Sequence, residues 1–314
     1  VHSFGASTIG MVFLGFMLFS LLFAFTIFLW RYTVLRSDRP LDSFLSRESA
    51  FLVNNFLLLG VVGVTIWGVI FPLINEFAQE TTVTVATPYF NRINGPLLLT
   101  VIALMGVGPM LPWRRANASS LRKWLLPPIV LGVITFITML ATGFDEPIAL
   151  VAFSVIVFVA TSIFQEWARG TIARRRGGDR WITAFAKHIN GNRPRHGGYV
   201  VHLSMLVFAF GVVGTQFYDQ RTDEVLRPGE SFTIDNYRVE FIRSENNKRE
   251  DRIAQWAILE VFDGDQYLGE IKPWYAFYPA YNQVSVRAGI RSTPIEDLYI
   301  APTDFLEDGR AVFR

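Results

Sequence analysis

Six stretches of almost unbroken apolar residues occupy the first two-thirds of the chain. They run Phe4–Trp30, Phe51–Ile74, Gly95–Trp113, Leu125–Gly143, Pro147–Trp167 and Tyr199–Thr215. A bilayer core is crossed by about 17–25 apolar residues in a helix, so each stretch reads as one transmembrane helix. After Gln216 the long runs stop. Ser231–Ile234, Tyr237–Ile242 and Trp256–Phe262 are rich in β-branched and aromatic residues, as strands are, and Asp263-Gly264-Asp265 supplies a hairpin turn before Tyr267–Ile271. The expected architecture is an α-helical polytopic membrane bundle over residues 1–215, followed by an antiparallel β domain, a small barrel or sandwich, over 216–314.

Composition supports that division. Of 314 residues 51% are hydrophobic, 28 are Phe, and the mean hydropathy is +0.31, which excludes an ordinary soluble domain. The net charge of +2 is uninformative; its placement is not. The connection after the first span holds Arg31, Arg36, Arg39 and Arg47, and that after the third holds Arg114, Arg115, Arg122 and Lys123. The connection after the fifth holds Arg169, Arg174, Arg175, Arg176, Arg180, Lys187, Arg193 and Arg195, whereas the alternate connections hold only Arg92. Short basic loops stay in the cytoplasm. The N-terminal end, the loop Glu76–Asn94 and the β domain are therefore expected outside. Trp30, Trp113, Trp124 and Trp167 then fall at cytoplasmic ends, as an interfacial belt does. Residue 1 is Val rather than Met, no signal peptide is visible, and the chain reads as a piece lacking upstream sequence.

The candidate chemistry is carried by histidine. His202 stands inside the last apolar run; with that run starting near Gly198 or Tyr199, a rise of about 1.5 Å per residue puts it about 5 Å inside the cytoplasmic boundary. Ionisable residues in spans usually face the bundle interior and mark function, and neutral imidazole is a common axial ligand of haem iron. The alternative is a histidine bonded to a neighbouring helix or reaching the headgroups. His2 lies at the outer end of the first span, about 30 Å from the cytoplasmic side, so His2 and His202 cannot share one iron. His188 and His196 fall in the basic inner segment Arg169–Gly198 and read as loop histidines. The basic run itself is explained more simply by topology retention than by binding of nucleic acid or anionic lipid.

Other classes are excluded by what is missing. With no cysteine there is neither a disulfide framework nor a thiolate metal site. Met105–Pro109, "MGVGP", lacks the lysine and the strand-to-helix setting of a phosphate loop. No catalytic triad, carboxylate pair or zinc spacing is present, so no catalytic residue is assigned. Asn54 and Asn55 read as amides that join helices.

Taken in order, "VHSFGASTIG", "FLSRESAFLVNNFLLL", "PYFNRINGPLLLTVIALMGVGPMLPWR" and "GGYVVHLSM" resemble the cytochrome c maturation protein F (CcmF) family, the haem-handling membrane proteins of bacterial System I cytochrome c assembly. The resemblance covers the membrane part and continues into the β domain. It implies a haem lyase of the bacterial cytoplasmic membrane that attaches haem to the thiols of apocytochrome c outside the membrane. It implies a haem chaperone that delivers the haem, a thioredoxin-like protein that binds the apocytochrome, and a b-type haem within the membrane that keeps the incoming iron reduced with electrons from quinol. His202 matches one axial ligand of the internal haem b, and His2 matches the second of two outer histidines that hold the substrate haem. The family's tryptophan-rich segment and the partner histidine of each site are expected upstream of Val1, and a further span after the β domain. This chain departs from the family at Val69, where Thr is usual, and at Ala86-Thr87, where Gly-Pro is usual. Two other readings compete: a transporter-like bundle, against which the uncharged spans and the lack of paired half-helices speak, and a membrane scaffold whose outer β domain docks proteins, with Phe277–Tyr281 as the surface.

Overall fold

The computed structural model describes residues 8–36, 43–79, 83–112, 118–249, 251–281, 283–294 and 296–314. The chain divides into two compact units, Val1–Phe217 and Tyr218–Arg314.

Among the described residues the regular elements of the first unit are all helices: α1 Thr8–Leu35, α2 Arg47–Gln79, α3 Thr87–Val107, α4 Ala118–Ala141, α5 Pro147–Arg175, α6 Trp181–Gly191 and α7 Arg193–Phe217, with a 3-10 turn at Gly108–Met110 after α3. Among the described residues six helices, all but α6, are long and apolar enough to cross a membrane. Helices suit such segments because every interior backbone donor and acceptor is satisfied within the helix itself. The starts are chemically marked. Ser46 is the N-cap of α2: its Oγ accepts the Ser49 N–H at 3.2 Å. Proline stands in the first turn of α3 and opens α5, where its missing N–H costs nothing. Gly143, at φ +96°, supplies the left-handed residue that ends α4 and lets the chain reverse into α5.

Helix α5 is the centre of the unit. Ala149, Ala152, Phe153, Ile156, Val159, Ser162 and Ile163 along it are buried, while α1 exposes large apolar side chains along its length. Small residues set the closest approaches, as they do between helices in lipid. A Cβ on Gly106 of α3 would lie 3.2 Å from the Val159 Cα and 2.8 Å from the Phe158 ring, and one on Gly132 of α4 would lie 3.0 Å from the Ser154 carbonyl oxygen of α5. Part of "MGVGP" is thus a packing surface. Its last residue also serves as an anchor: the Pro109 carbonyl accepts Arg47 Nη2 at 2.8 Å, and the Arg47 N–H donates to the Pro112 carbonyl at 3.0 Å. Asn94 donates to Thr65 Oγ1 at 3.2 Å, joining α3 to α2, and Asn91 donates to Gln216 at 3.1 Å, joining α3 to α7.

Two boundaries differ from the sequence-based expectation. α2 runs to Gln79 and α3 starts at Thr87, so the outer connection is much shorter than Glu76–Asn94. The inner segment Arg169–Gly198 is not a loop: α5 continues to Arg175, α6 fills Trp181–Gly191 and α7 begins at Arg193. Hydropathy marks where a helix is apolar, and these helices extend past their apolar parts as charged, solvated turns.

The second unit is an all-antiparallel β domain of three sheets. Strands β1 Glu224–Leu226, β2 Ser231–Ile234, β3 Tyr237–Lys248, β4 Ile253–Asp263, β5 Gln266–Ile271, β6 Trp274–Tyr278, β7 Gln283–Arg287, β8 Gly289–Ser292, β9 Asp297–Ile300, β10 Pro302–Phe305 and β11 Ala311–Phe313 pair in the orders β1-β11-β10, β2-β3-β4-β6-β7 with β5 on β4, and β8-β9. The expected hairpin is present, with Asp263 paired to Gln266. Gly269, at φ +134°, sits opposite the register shift between Val261 and Phe262, a bulge that a side chain would strain. Leu226, Val239, Phe241, Leu259, Val261, Leu298, Ile300 and Phe313 form one core drawn from all three sheets, with the Phe241 and Phe313 rings edge-to-face at 5.3 Å.

Two outcomes follow for the whole chain, read as thermal unfolding in detergent. Gly106→Ala forces its methyl against the Val159 backbone and should destabilise the bundle by about 1–3 kcal/mol. Phe241→Ala should cost about 3–5 kcal/mol of β-domain stability, as an emptied aromatic core site does. An unchanged melt in the first variant would show that α3 can move off α5.

Candidate functional site

His202 lies on α7, nine residues from its first residue, about 14 Å along the axis at about 1.5 Å per residue. Hydropathy put the start of this helix near Gly198, because the additional turns from Arg193 are polar; the expected depth of about 5 Å is counted from the apolar part alone. At about 100° per residue, Tyr199 and Leu206 flank His202 on one side, and both are buried. Gly198 and Met205 flank it on the other. A Cβ on Gly198 would meet no atom within 4 Å, and Met205 is exposed. The imidazole therefore stands at the edge between the packed and the open faces of α7. Its Nδ1 is buried and without a hydrogen-bond partner among the described residues. An orphaned ring nitrogen is costly in such a place, and the open face one turn away, where Gly198 adds no side chain, leaves room for a flat ligand. The residues present fit a site at which an imidazole would hold a haem. Among the described residues no group of three or more His, Cys, Asp or Glu could hold a metal ion. His2 lies outside the described residues.

His188 and His196, taken as loop histidines, are helical and packed together. His188 is on α6 and His196 in the first turn of α7, with their rings 4.5 Å apart and edge-to-face. His196 is only 3% exposed. Its Nδ1 accepts the indole N–H of Trp167 on α5 at 3.1 Å, so the neutral imidazole carries its proton on Nε2. Tyr199 stacks edge-on beside both, 5.8 Å from His196 and 6.3 Å from Trp167. Around them Arg195 reaches Glu166 at 2.7 Å and the Tyr199 hydroxyl at 3.0 Å, and Arg169 lies 3.3 Å over the Trp124 ring. Gly170 makes room for α6, because a Cβ there would fall inside the His188 ring. The cluster joins α4, α5, α6 and α7 at one end of the bundle and fixes the rotation of the helix that bears His202. Sequence reasoning missed it because its partners are 29 residues apart, Trp167 to His196 and Glu166 to Arg195; only a helical reading of Arg193–Tyr199 would have placed His196 and Tyr199 on adjacent turns.

A helical membrane bundle with a histidine at the edge of its packed face, followed by an antiparallel β-sandwich, defines the class: a multi-pass membrane protein with a sandwich domain. The sequence profile described as the CcmF C-terminal beta-sandwich matches residues 217–314. The chain is 30% identical over 280 residues to the cytochrome c-type biogenesis protein ccl1 of Rhodobacter capsulatus, covering 86% of this chain and 40% of that protein. It is 24% identical over 311 residues to the cytochrome c-type biogenesis protein CcmF of Pseudomonas aeruginosa, covering 98% and 46% respectively. A solved structure of the cytochrome c heme lyase CcmF superposes with a TM-score of 0.68 at 26% identity, over 86% of this chain and 42% of that one. The chain belongs to the CcmF family of cytochrome c biogenesis proteins. It spans less than half the length of the curated relatives it matches.

Burial holds His188 below its ordinary value of 6.5, helped by Arg174 and then by Arg195, with Glu166 opposing. The neighbouring His196 faces the same ring. The folded state thus keeps His188 neutral at pH values where the unfolded chain already binds a proton, so the docking of α6 is at full strength above about 6.5 and weakens as pH falls through the lowered folded value. Protection of the α6 amides against hydrogen exchange, corrected for the intrinsic rate, should fall over that window, and His188→Gln should weaken the dependence. Trp167→Phe leaves the buried His196 acceptor unpaired and should cost about 1–3 kcal/mol, seen as a lowered melting temperature; no change would mean that the imidazole had found another donor.

Proposed function

We propose that this chain works as part of a cytochrome c haem lyase in a bacterial cytoplasmic membrane, with its β-sandwich on the outer side. The observation that carries the reading is the similarity to a haem lyase over 86% of the chain in both sequence and fold, joined to the orphaned nitrogen of His202. In this reading His202 would hold an intramembrane b-type haem, and His2 would hold the substrate haem outside. The resident haem would supply electrons, taken from quinol, that keep the substrate iron ferrous. The reaction served is the addition of a cysteine S–H across a haem vinyl group: a C–S and a C–H bond form, the S–H bond and the C=C π bond break, and no net electron transfer is needed. The chain offers no evident acid or base for that step. Its residues ligate, orient and tune: the Trp167–His196 bond and the Glu166–Arg195–Tyr199 chain hold α7 in one rotation, and thereby the His202 ring. The partners of this reading are a haem chaperone, apocytochrome c and its thioredoxin-like binding protein.

The positive-inside pattern supports the orientation, and the continuity of α2, α3 and α4 through Pro72, Pro96, Pro127 and Pro128 speaks against the broken half-helices of a transporter. A scaffold reading keeps one specific observation: Ile253, Val284 and Val286 are exposed together on one face of β4, β6 and β7, where Ile253 pairs with Phe277 and Phe277 with Val284.

The test is a reduced-minus-oxidised absorption spectrum of the chain co-produced with a polypeptide supplying the part of its relatives that it does not span. A b-type signal lost in His202→Ala, at unchanged protein level, is expected. An equal signal in both proteins removes His202 from the haem site, and no haem in either favours the scaffold.

A further inference from the structure

Helix α6 has three faces. With about 100° between successive residues, Ala184, His188 and Gly191 share one arc; Ala184 is fully buried, His188 packs on Gly170, and Gly191 packs on Arg174. This arc is docked on α5. Thr183, Lys187 and Asn190 form a polar arc. Trp181, Phe185, Ile189, Ile182 and Ala186 fill the remainder, an apolar arc of about 140°. On that arc Ile182 is 85% exposed, and Trp181 and Phe185 are exposed as well. An 11-residue helix is too short to cross a bilayer, and both helices it connects are membrane-length. Its place is therefore the membrane surface, where an apolar arc of this kind sinks to the headgroup–acyl boundary.

The charges beside the arc name the lipid. Arg175, Arg176 and Arg180 lead into α6, are exposed, and take part in none of the ion pairs among the described residues. The only acid in the connection, Asp179, is taken by Lys187 at 2.5 Å. Arg175 lies 4.1 Å over the Trp181 ring, which places its guanidinium level with an aromatic anchor of the interfacial kind. Guanidinium forks suit phosphodiester oxygens, and juxtamembrane cations attract anionic headgroups. We propose that α6 lies in the cytoplasmic headgroup layer and that Arg175, Arg176 and Arg180 form a binding site for the phosphate of an anionic phospholipid, with Trp181, Ile182 and Phe185 against its acyl chains. The basic segment thus has a ligand of its own besides its part in setting topology. The site also couples lipid charge to the histidine cluster, because His188 lies on the docked arc of the same short helix.

The absence of cysteine makes the test direct. Ile182→Cys, labelled with a nitroxide in the full chain, is reconstituted in vesicles of phosphatidylcholine with and without phosphatidylglycerol. Collisional relaxation by oxygen should exceed that by a water-soluble nickel chelate in the mixed vesicles. Dominance of the chelate places the arc in water, and protection from both reagents places a protein over it; either result overturns the proposal. The preference of the chain for spin-labelled phosphatidylglycerol over phosphatidylcholine should fall by at least roughly fivefold, the attraction of one of the three surface cations removed, in Arg175→Gln/Arg176→Gln/Arg180→Gln with an unchanged melting temperature. If that variant does not fold, the same preference in the unaltered chain must disappear at high salt. A preference that survives either treatment sinks the headgroup site.

Discussion

The bundle depends on one constraint, the close approach of α3 and α4 to α5. In lipid there is little hydrophobic gain from pressing apolar helices together, so association relies on van der Waals contact and on a few polar bonds. Gly106 against the Val159 backbone and Gly132 against the Ser154 carbonyl bring backbones within reach of one another, and the rest of α5 fills in around them. The polar links, Arg47 to Pro109 and Asn94 to Thr65, then fix how the helices slide and turn.

From α5 the order passes to α7. The indole of Trp167 and the carboxylate of Glu166 are successive residues on α5, and they hold His196 and Arg195, successive residues on α7. Two adjacent bonds of this kind define both the height and the rotation of α7, where one alone would leave it free to swivel. His202 stands less than two turns further on. In this fold the height and rotation of the His202 side chain are set by an aromatic and ionic cluster on the preceding turns of α7.

Much of this was legible in the sequence. The six spans follow from hydropathy alone, because the bilayer sets their length. The Ser231–Ile234 strand and the turn after Asp263 follow from β-branched residues and from glycine. The inner segment was not legible in the same way. Its basic residues satisfy a topology rule so well that they hide the short helix they flank, and the apolar residues of that helix, Trp181, Ile182, Phe185 and Ile189, are too few to register as a run. The start of α7 was missed for a related reason: a helix does not stop where its apolar part stops. The histidine cluster needed four helices brought together, which no local pattern records.

The β domain carries a feature with a bearing on its birth. Its first strand pairs with its last, Glu224 opposite Phe313, and the side chains of Leu226 and Phe313 belong to the common core. Asp223 and Arg314 fasten the same seam from outside at 2.8 Å. Contacts across nearly the whole length of a domain form late, since a long loop must close before they are rewarded. The sandwich cannot complete its core until Ala311–Phe313 have been made and paired with β1. Until then Val239, Phe241 and Leu259 of the paired strands β3 and β4 lack the side chains of β11 that share their core.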